Sequence, residues 1–123
     1  MAAPDDVVKL DEKFAKFDDR WSPKIVAEFN GLHVKVAKVE GEFVWHGHDD
    51  TDEFFLVRSG RLTIELRGRP AVTLGPGELF VVPRGVEHRP VADGYCEILL
   101  LEPAGVVNTG AIEGDLTASA EWI

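Results

Sequence analysis

The chain has 123 residues, 45 % of them hydrophobic and 28 % charged, enough for one globular core and too apolar for a disordered tail. Its formal charge of −9 argues against a nucleic-acid duplex or an anionic membrane as partner, since both need a basic face. The single cysteine, Cys96, excludes a disulfide within the chain.

In chain order, residues 4–21 come first, with Val7, Leu10, Phe14, Phe17 and Trp21 spaced three or four apart. That spacing predicts a short amphipathic helical arm ending before Ser22-Pro23. Asp5 and Asp6 suit its N-terminus, whereas Asp18 and Asp19 sit at the end the helix dipole disfavours. The opening "MAAPDD" has neither the basic head nor the apolar run of a signal peptide, and "ILLL" is the longest aliphatic run, so a cytoplasmic location is expected.

From Lys24 to Glu102 short apolar runs alternate with turn signals. "KIVAEF" meets Asn30-Gly31, and "LHVKVAKV" runs to Gly41. "EFFLVR" and "RLTIEL" flank Ser59-Gly60, which reads as a two-residue hairpin turn. "AVTL", "ELFVV", "HRPV" and "YCEILLLE" follow, separated by "GPG", "PRG" and Asp93-Gly94. Short, evenly spaced strands without intervening helices predict an all-β sandwich or barrel. One domain over 1–123 is expected, with its barrel core at about 24–102, the helical arm at 4–21 and a tail at 103–123. Trp122 and Ile123 should pack on the barrel or on a second subunit.

"HGHDDTDEFF" holds two of the four histidines. Residues two apart on an extended strand share a face, so His46 and His48 deliver two imidazoles to one spot. The turn "DDTD" can return Glu53 beside them, and His88 after "PRG" offers a third imidazole. Three nitrogens and a carboxylate suit a divalent transition ion: Fe, Mn, Ni, Zn, Co or Cu. The alternative is a solvated acidic turn with an unrelated strand-end histidine at 88. His33 reads as an exposed strand residue, and Cys96 as a small buried hydrophobe.

Taken together, these residues resemble the cupin superfamily. "GEFVWHGHDDTDEFFLVRSG" places Gly41, His46, His48, Glu53 and Gly60 on its first motif, with one residue fewer than usual between Gly41 and His46. "GELFVVPRGVEHRPVA" places Gly77, Pro83, Gly85 and His88 on the second, with Ala92 where Asn is typical. The resemblance implies a jelly-roll, double-stranded β-helix fold and metal ligands His46, His48, Glu53 and His88. It also implies a small bacterial cupin of the kind described as mannose-6-phosphate isomerase-like.

An open divalent site would stabilise an enolate of a small oxygen-chelating substrate. A dioxygenase-type reaction is the leading expectation. A sugar-isomerase-like reaction and plain binding of a metal or small molecule are the alternatives. Glu53 is the candidate general base, should it leave the metal. Phe43, Trp45, Phe55 and Phe80 are expected to line the substrate pocket. Phe54 and Leu56 make the outer face of Glu53's strand apolar too, so a homodimer or the N-terminal helix should cover it.

Overall fold

The computed structural model describes residues 6–110 and 114–123. Asn30 and Gly31, with φ of 50° and 78°, make the left-handed two-residue turn that joins β1 (Lys24–Phe29) to β2 (Leu32–Glu42). The remaining strands are β3 (Glu53–Ser59), β4 (Leu62–Leu66), β5 (Arg69–Leu74), β6 (Leu79–Val82), β7 (His88–Pro103) and β8 (Glu121–Trp122). The sheet path runs β5-β4-β7-β2-β1-β8, with β3 pairing β7 and β6, and the jelly roll is left open rather than closed. No helix among the described residues is long and apolar enough to cross a membrane.

The 16-residue β7 is the spine. β2 pairs along one edge of it. On the other edge β3 takes its C-terminal half, Phe54 opposite Leu101, and β4 its N-terminal half, Leu66 opposite His88. β3 and β4 therefore follow one another in the same direction, and the hairpin expected at Ser59-Gly60 does not form. Ser59-Gly60 is instead the step between them, and the hairpin lies at Arg67-Gly68, with Leu66 paired to Arg69. Asp93-Gly94 is likewise a bulge inside β7, where the register shifts between the Glu40–Tyr95 and Gly41–Ala92 pairs.

Gly60 is required by both conformation and space. Its φ is 87°, and a Cβ there would sit 2.6 Å from the Tyr95 carbonyl oxygen and 2.9 Å from Cys96 Cα. Gly60→Ala should cost about 3 kcal/mol, summing a left-handed penalty and overpacking against backbone. Urea unfolding checks this, and a variant as stable as its parent would contradict the account.

The inner face gathers one core from Ala37, Val39, Phe55, Val57, Leu62 and Ile64, with Cys96, Ile98 and Leu100 of β7. A second, smaller cluster lies outside β1 and β2, where Phe14, Val26 and Val36 meet Leu10, Phe17 and Ile123. Alternation along β2 divides its residues between the two, Ala37 and Val39 inward and Val34 and Val36 outward.

The helix is shorter than the spacing predicts. Among the described residues only α1 (Leu10–Phe14) is helical, and its N-cap residue Lys9 supplies no side-chain hydrogen bond. Pro4 and Asp5 lie outside the described residues, and Val7 is exposed. Asp18 and Asp19 oppose the helix dipole, and tertiary partners claim the rest. Lys38 Nζ donates to the Phe17 carbonyl at 2.5 Å, and Lys24 Nζ binds Asp19 Oδ2 at 3.0 Å. Trp21 takes φ 58°, donates Nε1–H to the Glu40 carbonyl at 3.0 Å and stacks on Phe43 in the inner core.

The tail packs on the jelly roll. β8 runs parallel to β1, Glu121 opposite Lys24. Buried Lys24 also binds Glu121 Oε1 at 2.9 Å, and buried Lys13 donates to the Ile123 carbonyl at 2.7 Å.

Candidate metal centre

Residues 43–46 run against the start of β7. Phe43 N donates to the Pro90 carbonyl at 2.9 Å, and His46 and His88 exchange both backbone bonds, at 3.0 and 2.8 Å. The period of two sends His46 inward and Trp45 outward. Gly85 N donates to the His48 carbonyl at 2.8 Å, docking the "PRG" turn onto the His-x-His segment. Asp52 is more than part of a solvated turn: its Oδ1 accepts Arg84 N at 2.9 Å, and that bond first of all holds its carboxyl below the usual range. Glu53 then opens β3 opposite Val82.

All four histidine and glutamate side chains are buried: His46 1 %, His48 9 %, Glu53 6 % and His88 1 % exposed. Glu53 Oε2 lies 2.8 Å from His48 Nε2, 2.9 Å from His88 Nε2 and 3.6 Å from His46 Nε2. The ligand atoms of His46, His48 and Glu53 fall within 4.8 Å of one another. His88 lies outside that mutual set and enters through Glu53.

The ring orientations are set locally. Nδ1 of His46 is 3.0 Å from the Val44 carbonyl, and Nδ1 of His88 is 2.9 Å from the Val86 carbonyl. A carbonyl only accepts, so each Nδ1 carries the proton, and a neutral ring turns the bare lone pair of Nε2 towards Glu53. Lone pairs facing a carboxylate repel; a cation between them, proton or metal, reconciles the arrangement. His46 Nε2 and His48 Nε2 are buried with no hydrogen-bond partner. Burial pushes the Glu53 carboxyl up, yet the facing ring nitrogens of His46, His48 and His88 outweigh it and hold the group well below the usual carboxylate range. Burial pushes His48 down, and the Glu53 carboxylate more than offsets it, leaving His48 raised. The set is chemically fit for a divalent ion, with backbone carbonyls fixing two of the rings as such sites require.

A cavity of about 30 Å³ adjoins His46 and Glu53, walled by Trp21, Phe43, Phe55, Leu100 and Asn108. Two of the four expected pocket residues, Phe43 and Phe55, are on it. Trp45 instead faces outward beneath the Arg67 and Arg89 guanidinium groups, at 4.2 and 5.8 Å. Phe80 pairs with Phe55 across β3 and β6 and packs, half-buried, against the core. Trp21 was hidden by its helical spacing. Asn108 lies in a tail with no periodic signal.

One further feature escaped the sequence reading. Lys35 and Glu102 are 1 % and 3 % exposed and form an ion pair, Nζ to Oε1, at 2.8 Å. Lys35 shares the inward face of β2 with Ala37 and Val39. Its place in the alternation of "LHVKV" was the available signal.

Residues 32–102 match the model of the cupin domain family. An uncharacterised protein of Bacillus subtilis (strain 168), YdbB, is 32 % identical over 81 residues, 66 % of each chain, so the chain spans about two thirds of that relative. A cupin-2 domain protein from Shewanella frigidimarina NCIMB 400 superposes with a TM-score of 0.76 at 48 % identity, covering 79 % of this chain and 94 % of that one. Hydroquinone 1,2-dioxygenase from Sphingomonas sp. TTNP3, with 4-hydroxybenzoate bound, superposes with a TM-score of 0.71 at 20 % identity, covering 85 % of this chain and 36 % of the enzyme. That last likeness is one of fold. With the family match spanning more than half of its length and taking in His46, His48, Glu53 and His88, the chain belongs to the cupin family.

Proposed function

We propose that this protein is a metal-dependent cupin enzyme acting on a small oxygen-chelating substrate, with dioxygenase-type chemistry. The observation that carries the reading is the pair of orphaned, buried Nε2 atoms of His46 and His48, turned towards an ionised Glu53. His46, His48, Glu53 and His88 hold the ion, which is Fe, Mn, Ni, Zn, Co or Cu. A bound divalent ion supplies Lewis-acid polarisation of substrate oxygens and, where redox-active, access to dioxygen. The chain's own residues do the rest. The Val44 and Val86 carbonyls fix two ring orientations, and Phe43, Phe55 and Trp21 narrow the inner side to a water-sized cavity. Glu53, once released from the ion, is the carboxylate that would take a substrate proton. Hydroquinone 1,2-dioxygenase, a neighbour in fold, extends the substrate panel to hydroquinones.

The test loads the protein separately with Fe²⁺, Mn²⁺ and Zn²⁺ and presents a β-diketone, a flavonol, a hydroquinone and aldose phosphates. Oxygen uptake with the iron or manganese form is the expected result. Anaerobic interconversion of an aldose phosphate, or no turnover with any of them, overturns it.

We further propose a homodimer. Among the described residues β6 pairs only with β3, and its Leu79 and Val81 are 54 % and 42 % exposed beside half-buried Phe54 and Leu56. An apolar edge of this kind invites pairing with a second copy. Light scattering should give twice the monomer mass, and Val81→Lys should halve it; a monomeric parent overturns the proposal.

A further inference from the structure

The ligand atoms of the candidate centre are buried, Nε2 of both His46 and His48 among them. Its four side chains are at most 9 % exposed, and the adjoining cavity of about 30 Å³ has room for water alone. A small-molecule site needs roughly ten times that volume. Something must move for a substrate to enter.

The segment over the centre is Gly105–Gly110. Gly110 presses on the His-x-His backbone so closely that a Cβ there would fall 2.3 Å from the Gly47 carbonyl oxygen and 3.5 Å from His48 Nδ1. Asn108 reaches the small cavity and donates to the Trp21 and Leu116 carbonyls at 2.8 and 2.9 Å. The segment belongs to no strand; Val106 N donates to Pro103 O and Gly110 N to Val107 O, and the tail holds it through Thr109 Oγ1–Thr117 Oγ1 at 2.8 Å and Ala118 N to Asn108 Oδ1 at 2.9 Å. A glycine in the left-handed region stands at each end, Gly105 at φ 89° and Gly110 at φ 64°. Glycines at both ends can absorb the backbone change of a hinged strap.

A hollow lies on either side of this strap, and Gly105, Val106 and Val107 form a wall of both. One, of about 250 Å³, is floored by Ile25, His33 and Lys35. The other, of about 370 Å³, reaches His48 and residues 49–51. Lys35 Nζ spends one proton on Glu102 Oε1 at 2.8 Å and another on the Val106 carbonyl at 3.2 Å. Lifting the strap removes the second acceptor and leaves a buried ammonium proton facing the opened space.

We propose that Gly105–Gly110 is a gate over the metal centre, and that opening it joins the two hollows into one substrate groove. There Lys35 transfers its Val106 bond to an anionic oxygen of the substrate. The substrate class is thereby narrowed to small chelating molecules with a further carboxylate or enolate oxygen beyond the metal-binding pair. The gate stands on packing alone; the role of Lys35 rests on the metal-dependent reading above.

Hydrogen exchange read by mass spectrometry on metal-free protein tests the gate. Amides of 106–110 should exchange at least about 100-fold faster than those of Ile98–Leu101, and Asn108→Ala should speed them about tenfold more by removing its clamping bonds. Strap amides as slow as those of β7 overturn the gate. Malonate tests Lys35. The Lys35→Met/Glu102→Leu double variant, loaded with Mn²⁺, should bind malonate about tenfold more weakly than the parent, at unchanged Mn²⁺ affinity. Equal malonate affinity overturns the role of Lys35. A parent that takes up no Mn²⁺ overturns the metal reading and with it the role of Lys35, leaving the gate to be judged by exchange.

Discussion

Replacing His48 with Ala should weaken Mn²⁺ or Zn²⁺ binding by at least about 100-fold while leaving the fold intact, because a direct ligand is worth no less than the outer partners that orient it. His48 is the most exposed of the four side chains, and the close polar neighbour its loss takes from the folded chain is Glu53 Oε2, 2.8 Å from Nε2. Glu53 keeps His88 Nε2 at 2.9 Å, so the variant does not bury the carboxylate without a polar neighbour. The same experiment has a thermal readout. An ion present at 100 times its Kd stabilises the native state by about 2.7 kcal/mol, roughly 10 °C in Tm for a domain of this size. The parent should show that rise and His48→Ala none. Full metal retention in the variant would remove His48 from the ligand set.

Much of this arrangement is legible from residue order because short-range rules govern it. Asn30-Gly31 demands a left-handed turn, so β1 ends where "KIVAEF" ends and β2 begins at Leu32. The His-Gly-His spacing places two rings together by the strand period alone, and Pro83-Arg84-Gly85 returns the chain so that His88 meets His46. Local signals mislead where a distant strand decides. Ser59-Gly60 has turn chemistry, but the length of β7 lets β3 and β4 share one of its edges, and a step replaces the hairpin. Trp21 fits the helical stripe of residues 4–21, yet stacking on Phe43 and its bond to Glu40 draw it into the core. Asn108 gives no local signal of its role, and the alternation of "LHVKV" turns Lys35 inward without naming its partner, because the partners lie 87 and 67 positions away in the chain.

The outward turn of Trp45 follows from the same period of two that was used for the histidines. With His46 facing Glu53, its neighbour must face away, and two arginines cover the indole. The cavity wall is completed instead by Trp21 and Asn108, from segments flanking the barrel on either side in sequence. The inner site is therefore closed by the arm and the tail, which explains how so short a barrel buries four polar side chains.

Lys35→Met should destabilise the protein by about 3–5 kcal/mol near pH 8, because it strands the Glu102 carboxylate in an apolar interior. The double variant with Glu102→Leu should return to near the parent's stability, or exceed it, since a buried ion pair contributes little over a well-packed apolar pair. The pH dependence separates this mechanism from simple loss of packing. Burial, then the nearby Glu53 charge, raises the Glu102 carboxyl above its usual value in the parent, and losing Lys35 raises it further. A carboxyl raised by folding contributes stability that is fully present below its unfolded pKa and is lost as pH rises through the folded pKa. The deficit of Lys35→Met should accordingly shrink in acid and grow towards alkaline pH, while the double variant shows no such extra slope. Urea unfolding across that range reads both, and parallel profiles for the single and double variants would show that Glu102 is not the group left uncompensated.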